Sequence, residues 1–126
     1  MKQEIKEQLL KYQQAELDGV LVYQALAKLA PNEDMKSKLL GLAADEGRHA
    51  AILRKYTDEV LTASDEGAKE IAKMYKELGN KIFAMIADAE DKGEEMYRPF
   101  VEEIPEAKSI MEDEVRHGKI ARSFLE

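Results

Sequence analysis

The chain has two histidines, and each stands three residues after a glutamate: Glu46–His49 and Glu114–His117. On a helix that spacing puts both side chains on one face, one turn apart. An imidazole nitrogen and a carboxylate oxygen aimed the same way make a partial metal-binding set. Two further glutamates, Glu16 and Glu90, interrupt apolar helical stripes in their middle. Coincidence explains this poorly. With 26 acidic residues in 126, an acid three places before a given histidine has odds of about one in five. Both histidines have one, and the surroundings repeat: Asp45-Glu46-Gly47-Arg48-His49 against Asp113-Glu114-Val115-Arg116-His117, the pattern D-E-x-R-H twice. The lone glutamates repeat too, Glu16 with Gly19 and Tyr23, Glu90 with Gly93 and Tyr97. Each half therefore carries E-x-x-G-x-x-x-Y followed by D-E-x-R-H. This is an internal repeat of a helical hairpin, and it implies a pseudo-two-fold axis with a site on it.

Four carboxylates gathered inside a protein need a counter-charge. Taking one ionised carboxylate out of water costs several kcal/mol even after relaxation, and neighbouring ones repel. Protonation relieves the charge but leaves neutral acids needing partners. Two divalent cations balance four carboxylates with nothing left over, and neutral imidazoles add donors without disturbing the sum. A metal-free polar network leaves the charge unpaired, so the charge count itself points to a two-metal site.

The elements that must position these residues are helices. From Ile5 to Ala30 the stripe reads Ile5, Leu9, Tyr12, Glu16, Gly19, Tyr23, Leu26, Ala30, and Pro31 ends it. Asn32 is a good cap for a second helix, with Glu33 and Asp34 at the positive end of its dipole. Its stripe is Met35, Leu39, Leu42, Glu46, His49, Leu53, Tyr56, Val60. Thr62, Ala63 and Ser64 break the pattern, and Ser64 is expected to cap a shorter helix through Ala68–Leu78 to Gly79-Asn80. A third long helix follows, with Phe83, Ile86, Glu90, Gly93, Tyr97, Val101 and Ile104; Pro99 inside it predicts a kink or bulge. Pro105 opens a fourth, with Ile110, Glu114, His117, Ala121 and Phe124. Met35, Met74, Met85, Met96 and Met111 are expected to fill gaps in the core. Ile71, Met74, Tyr75 and Leu78 give the short connector helix an apolar face to cover the bundle or a partner subunit. The expected architecture is all-α: a four-helix bundle in which a partly helical crossover joins helices two and three. As domains, this is one unit over residues 1–126, two hairpin repeats at about 2–62 and 80–126 joined by a connector at about 63–79.

Composition narrows the function classes. A net charge of −7 argues against nucleic acid or an anionic membrane as the main partner. With no cysteine there is no disulfide framework, thiolate metal site or thiol nucleophile in this sequence. No apolar run approaches the ~20 residues of a membrane span, and the charged opening MKQEIKEQ does not read as a signal peptide. A cytoplasmic location is the expectation.

The doubled E-x-x-H on four helices, each pair partnered by a lone glutamate, resembles the ferritin-like diiron-carboxylate superfamily, in particular its small rubrerythrin-like members lacking a rubredoxin domain. The resemblance spans nearly the whole chain. It implies that Glu16 and His49 bind one iron, that Glu90 and His117 bind the other, and that Glu46 and Glu114 span both. In related D-E-x-R-H sites the aspartate accepts the N–H of a ligand histidine. By symmetry Asp45 would then serve His117, and Asp113 would serve His49. Arg48 and Arg116 either pair with those aspartates or meet other surface acids. Tyr23 and Tyr97 either pack in the core or donate a phenol hydrogen bond to a ligand carboxylate. Gly19 and Gly93 either permit close helix approach or leave free volume beside the metals. Typical rubrerythrins look as though they carry an extra glutamate at the place of Gly93. Glu94, one residue on, is either an exposed glutamate or an extra ligand.

The resemblance implies an oxidoreductase that reduces peroxide or dioxygen at a carboxylate-bridged pair of iron ions, with manganese or zinc as other occupants. No catalytic residue is expected beyond the metal ligands. Two redox metals about 3.5–4 Å apart can deliver two electrons together, without releasing radicals. The sequence contains no paired CxxC motif, so a separate electron-donor protein is expected. A ferroxidase or iron-handling protein is the alternative, and a non-enzymatic metal-binding or interaction module the third reading. A homodimer is expected by resemblance.

Overall fold

The computed structural model describes residues 1–125. Its helices are α1 (Gln3–Leu29), α2 (Glu33–Thr57), α3 (Glu66–Leu78), α4 (Ile82–Tyr97) and α5 (Ala107–Ser123), with short 3₁₀ turns at Gly79–Lys81 and Arg98–Phe100. No strand occurs among the described residues. No helix among them is long and apolar enough to cross a membrane. The chain divides into two compact units, Met1–Lys73 and the stretch from Met74 onward.

The first unit is the hairpin of α1 and α2 with the start of α3. Leu9 and Leu26 on α1, and Leu39 and Leu53 on α2, are fully buried, each stabilising the fold by about 1.5–3 kcal/mol through removal of apolar surface from water. The turn between the helices is made by Pro31, which cannot extend α1, and by Asn32. The Asn32 side chain accepts the Met35 backbone N–H at 2.8 Å, satisfying one of the orphan donors at the start of α2. The far end of α2 differs from the sequence reading. The helix stops at Thr57, Asp58 takes the left-handed conformation (φ 56°), and Val60 is 72% exposed. An aspartate in that conformation is a helix terminator that an apolar count passes over.

The segment after α2 is tied along α1 by polar groups. Gln13 donates to the Glu59 carbonyl at 2.9 Å and accepts from the Thr57 hydroxyl at 2.6 Å. Gln14 donates to the Thr62 carbonyl, and Asp18 accepts the Ser64 N–H at 2.7 Å. The Ser64 hydroxyl in turn accepts the Glu66 N–H at 3.4 Å, so α3 starts two residues after it.

The second unit is the hairpin of α4 and α5 with the end of α3. Phe83 is fully buried and packs edge-on against Phe124, with centroids 4.9 Å apart, and against Tyr75 at 6.0 Å. Gly79 turns α3 into α4 with a φ of +63°, a conformation glycine adopts without strain. Pro99 ends α4 rather than kinking it. The α-helix stops at Tyr97 and the backbone tightens into the 3₁₀ turn, because Pro99 has no N–H to give and its ring crowds the carbonyl four residues back. Ile104 is nonetheless fully buried, so the turn still delivers the last apolar residue of the stripe inward. Two expected core residues prove exposed: Met85 and Met96, at 48% and 43%. On α3, Ile71 is buried but Leu78 is half exposed.

Candidate metal centre

In the first unit Glu16 projects from α1 toward Glu46 and His49 on α2. On α2, Leu42 and Leu53 stand one turn before Glu46 and one turn after His49, and both are buried. Glu16 and Glu46 are about 5% exposed and His49 is fully enclosed (5%, 6% and 0%). One oxygen from each glutamate and one nitrogen of His49 lie within 4.8 Å of one another. His49 Nδ1 is 3.2 Å from Glu16 Oε2. With the proton on Nδ1 the imidazole donates to Glu16 and presents the Nε2 lone pair elsewhere.

The second unit builds the same triad from α4 and α5. Glu90, Glu114 and His117 are 7%, 4% and 0% exposed, and one donor atom of each lies within 4.8 Å of the others. His117 Nδ1 approaches Glu90 Oε2 at 3.5 Å, the counterpart of the His49–Glu16 contact. Each triad holds two buried carboxylates and one imidazole. Two carboxylates balance one divalent cation, and mixed oxygen and imidazole donors suit iron, manganese or zinc. The donor chemistry therefore fits one such ion per unit.

The glycines of the repeat face the glutamate of the E-x-x-H pair on the partner helix. A Cβ placed on Gly19 would lie 3.4 Å from Glu46 Oε2, and one on Gly93 would lie 3.2 Å from Glu114 Cδ and 3.3 Å from its Oε2. The room left by the missing side chain is taken up by a carboxylate, so these positions serve close approach. Tyr23 and Tyr97 are buried, at 4% and 2%. Asp45 and Asp113 are largely enclosed and pair within their own helices, Asp45 with Arg48 at 3.9 Å and Asp113 with Arg116 at 3.0 Å. Glu94 turns its carboxylate to Arg98, one turn along, and takes no part in the cluster around His117.

Sequence reasoning passed over Gln13 and Thr57, a polar pair 2% and 1% exposed. Gln13 precedes Glu16 by one turn and follows Leu9 by another, so it lies on the same inward stripe. That spacing was the available signal, obscured by Tyr12 beside it.

A family model described as Rubrerythrin matches residues 7–125. No curated protein and no solved structure matches the chain.

Proposed function

The chain belongs to the rubrerythrin family, a ferritin-like diiron family with an all-α bundle fold, and on that premise we propose that its two triads are the halves of one dinuclear iron centre that reduces peroxide or dioxygen. The observation that carries this is the gathering, in each unit, of two buried carboxylates and one buried imidazole to within 4.8 Å. Glu16 and His49 would hold one ion and Glu90 and His117 the other, with Glu46 and Glu114 spanning both. A pair of redox-active metals supplies two electrons together, which is what cleavage of an O–O bond consumes.

The protein's own residues do the rest. The apolar turns around each triad exclude water and keep the local dielectric low, which strengthens the hold of carboxylates on a cation. The hydrogen bond between His49 and Glu16 holds the His49 ring plane, and His117 Nδ1 lies 3.5 Å from Glu90 at the equivalent place. Asp45 and Asp113, pinned by Arg48 and Arg116, would orient the imidazoles. Repeated turnover draws electrons from a separate donor protein. The net charge of −7 favours approach of Fe²⁺ from solution, both for this reading and for the alternative, a ferroxidase, in which Fe²⁺ is itself the substrate.

Anaerobic loading with Fe²⁺, followed by a pulse of hydrogen peroxide, tests the proposal. Two equivalents of iron should bind per chain, and a ferric absorption band should rise within seconds. A reductant that then sustains peroxide consumption identifies a peroxidase; oxidation and retention of excess Fe²⁺ identify a ferroxidase. Binding of two ions with indifference to both oxidants would leave a non-enzymatic metal-binding module, and fewer than two ions would refute the dinuclear centre.

A further inference from the structure

The internal repeat extends beyond the ligands, and one of its differences points to a binding site. Five residues after each histidine stands an arginine, Arg54 in the first half and Arg122 in the second, within the shared pattern H-x-x-I-x-R. One residue after each lone glutamate the halves diverge: Leu17 in the first, Asp91 in the second. In the second unit Arg122 is bound by the Asp91 carboxylate across α4 and α5. The bridge passes over Gly118, where a Cβ would come within 2.8 Å of Asp91 Oδ1.

At the corresponding place in the first unit the carboxylate is replaced by the apolar side chain of Leu17, and a cavity of about 180 Å³ lies between α1 and α2. Leu17, Ala50, Ala51, Val60 and Leu61 make its apolar wall, and Arg54 supplies the cation. The other four arginines of the chain each pair with a carboxylate: Arg48 with Asp45, Arg98 with Glu94, Arg116 with Asp113, and Arg122 with Asp91. Arg54 has no such pair among the described residues.

We propose that this cavity binds a small monocarboxylate with an apolar tail, its carboxylate on Arg54 in the position that Asp91 takes beside Arg122, and its tail against Leu17, Val60 and Leu61. Charge and shape both select this class. A guanidinium prefers a planar, two-oxygen anion, whereas the other polar side chain of the wall, Gln13, is already engaged by Glu59 and Thr57 and offers little to a sugar or a nucleotide. The segment carrying Val60 and Leu61 is held along α1 by Gln13, Gln14 and Asp18, so this edge of the cavity is preformed.

Titration of the full chain with sodium hexanoate, followed through the backbone amide resonances of residues 47–54, 60 and 61, tests the site. Saturable shifts confined to these amides are expected, at one site per chain. Arg54→Gln, a change on the surface, should weaken binding about tenfold or more. Leu17→Asp, which supplies an internal carboxylate to Arg54, should compete the ligand away. Asp91→Leu should free Arg122 and create a second hexanoate site reported by amides near Gly118. The proposal is overturned if hexanoate leaves these amides unmoved, if Arg54→Gln binds as tightly as the parent, or if hexanol binds as well as hexanoate.

Discussion

Gly93 and Gly19 occupy equivalent places in the repeat, yet alanine at the two should behave differently. Alanine in a helix interior is favoured over glycine by about 0.5–1 kcal/mol. Against this stands overlap with the facing glutamate. Carbon atoms sit comfortably at about 3.5–4.0 Å. A Cβ at position 93 would be 3.2 Å from Glu114 Cδ, whereas at position 19 the nearest atom is Glu46 Oε2 at 3.4 Å. Gly93→Ala therefore asks Glu114 to move by a few tenths of an ångström, and Gly19→Ala asks almost nothing of Glu46. In chelated protein the carboxylate lies at the far end of a flexible side chain, held by no cation, and can shift by that amount. Both variants should then melt about 2–6 °C higher than the parent, the helix propensity converted through the unfolding entropy of a chain this size. In metal-loaded protein the same carboxylate is pinned. Gly93→Ala should bind its second equivalent of Fe²⁺ about fivefold to tenfold more weakly, while Gly19→Ala binds as the parent does. Calorimetric melting with and without chelator, beside an anaerobic Fe²⁺ titration, reads both effects. Equal metal affinity in the two variants, or a chelated Gly93→Ala protein that melts below the parent, would refute the reasoning.

The remaining predictions concern protons and the polar pair beside the site. Bound metal keeps the glutamates and imidazoles of the triads deprotonated, holding their proton affinity below that of the unfolded chain. The stability so gained is full above the unfolded values, about 6.5 for imidazole and about 4.3 for glutamate, and is lost as pH falls. The melting temperature of loaded protein should exceed that of chelated protein most above about pH 7, the gap closing between about pH 6 and 4; a gap indifferent to pH would contradict ligation by these groups. Gln13→Leu removes both the acceptor of the Thr57 hydroxyl and the donor to the Glu59 carbonyl, and should cost about 1–3 kcal/mol. Adding Thr57→Val should recover part of that loss in urea denaturation, since the buried hydroxyl is then gone; strict additivity of the two losses would show that the pair is uncoupled.

Much of this molecule is legible along the chain because helical periodicity and motif spacing are local properties. The positions of Glu16, Glu46, His49, Glu90, Glu114 and His117 on inward stripes follow from 3.6 residues per turn. The start of α2 at Asn32 and the end of α1 before Pro31 follow from hydrogen-bond donors that neighbours in sequence supply or lack. What periodicity encodes is an angle about a helix axis, and it is silent about what faces that angle from another helix. Hence the exposure of Met85 and Met96, the burial of Gln13, and the end of α2 at Asp58 emerged only with the fold. The glycines illustrate the division best. Their repeat was plain from the residues, but that their missing side chains make room for Glu46 and Glu114 depends on how closely two backbones approach. Likewise the exchange of Asp91 for Leu17 between the two halves is plain in the sequence. That Asp91 meets Arg122 across two helices, and that Leu17 leaves a cavity beside Arg54, depends on both partners lying at one crossing, a condition that only packing imposes.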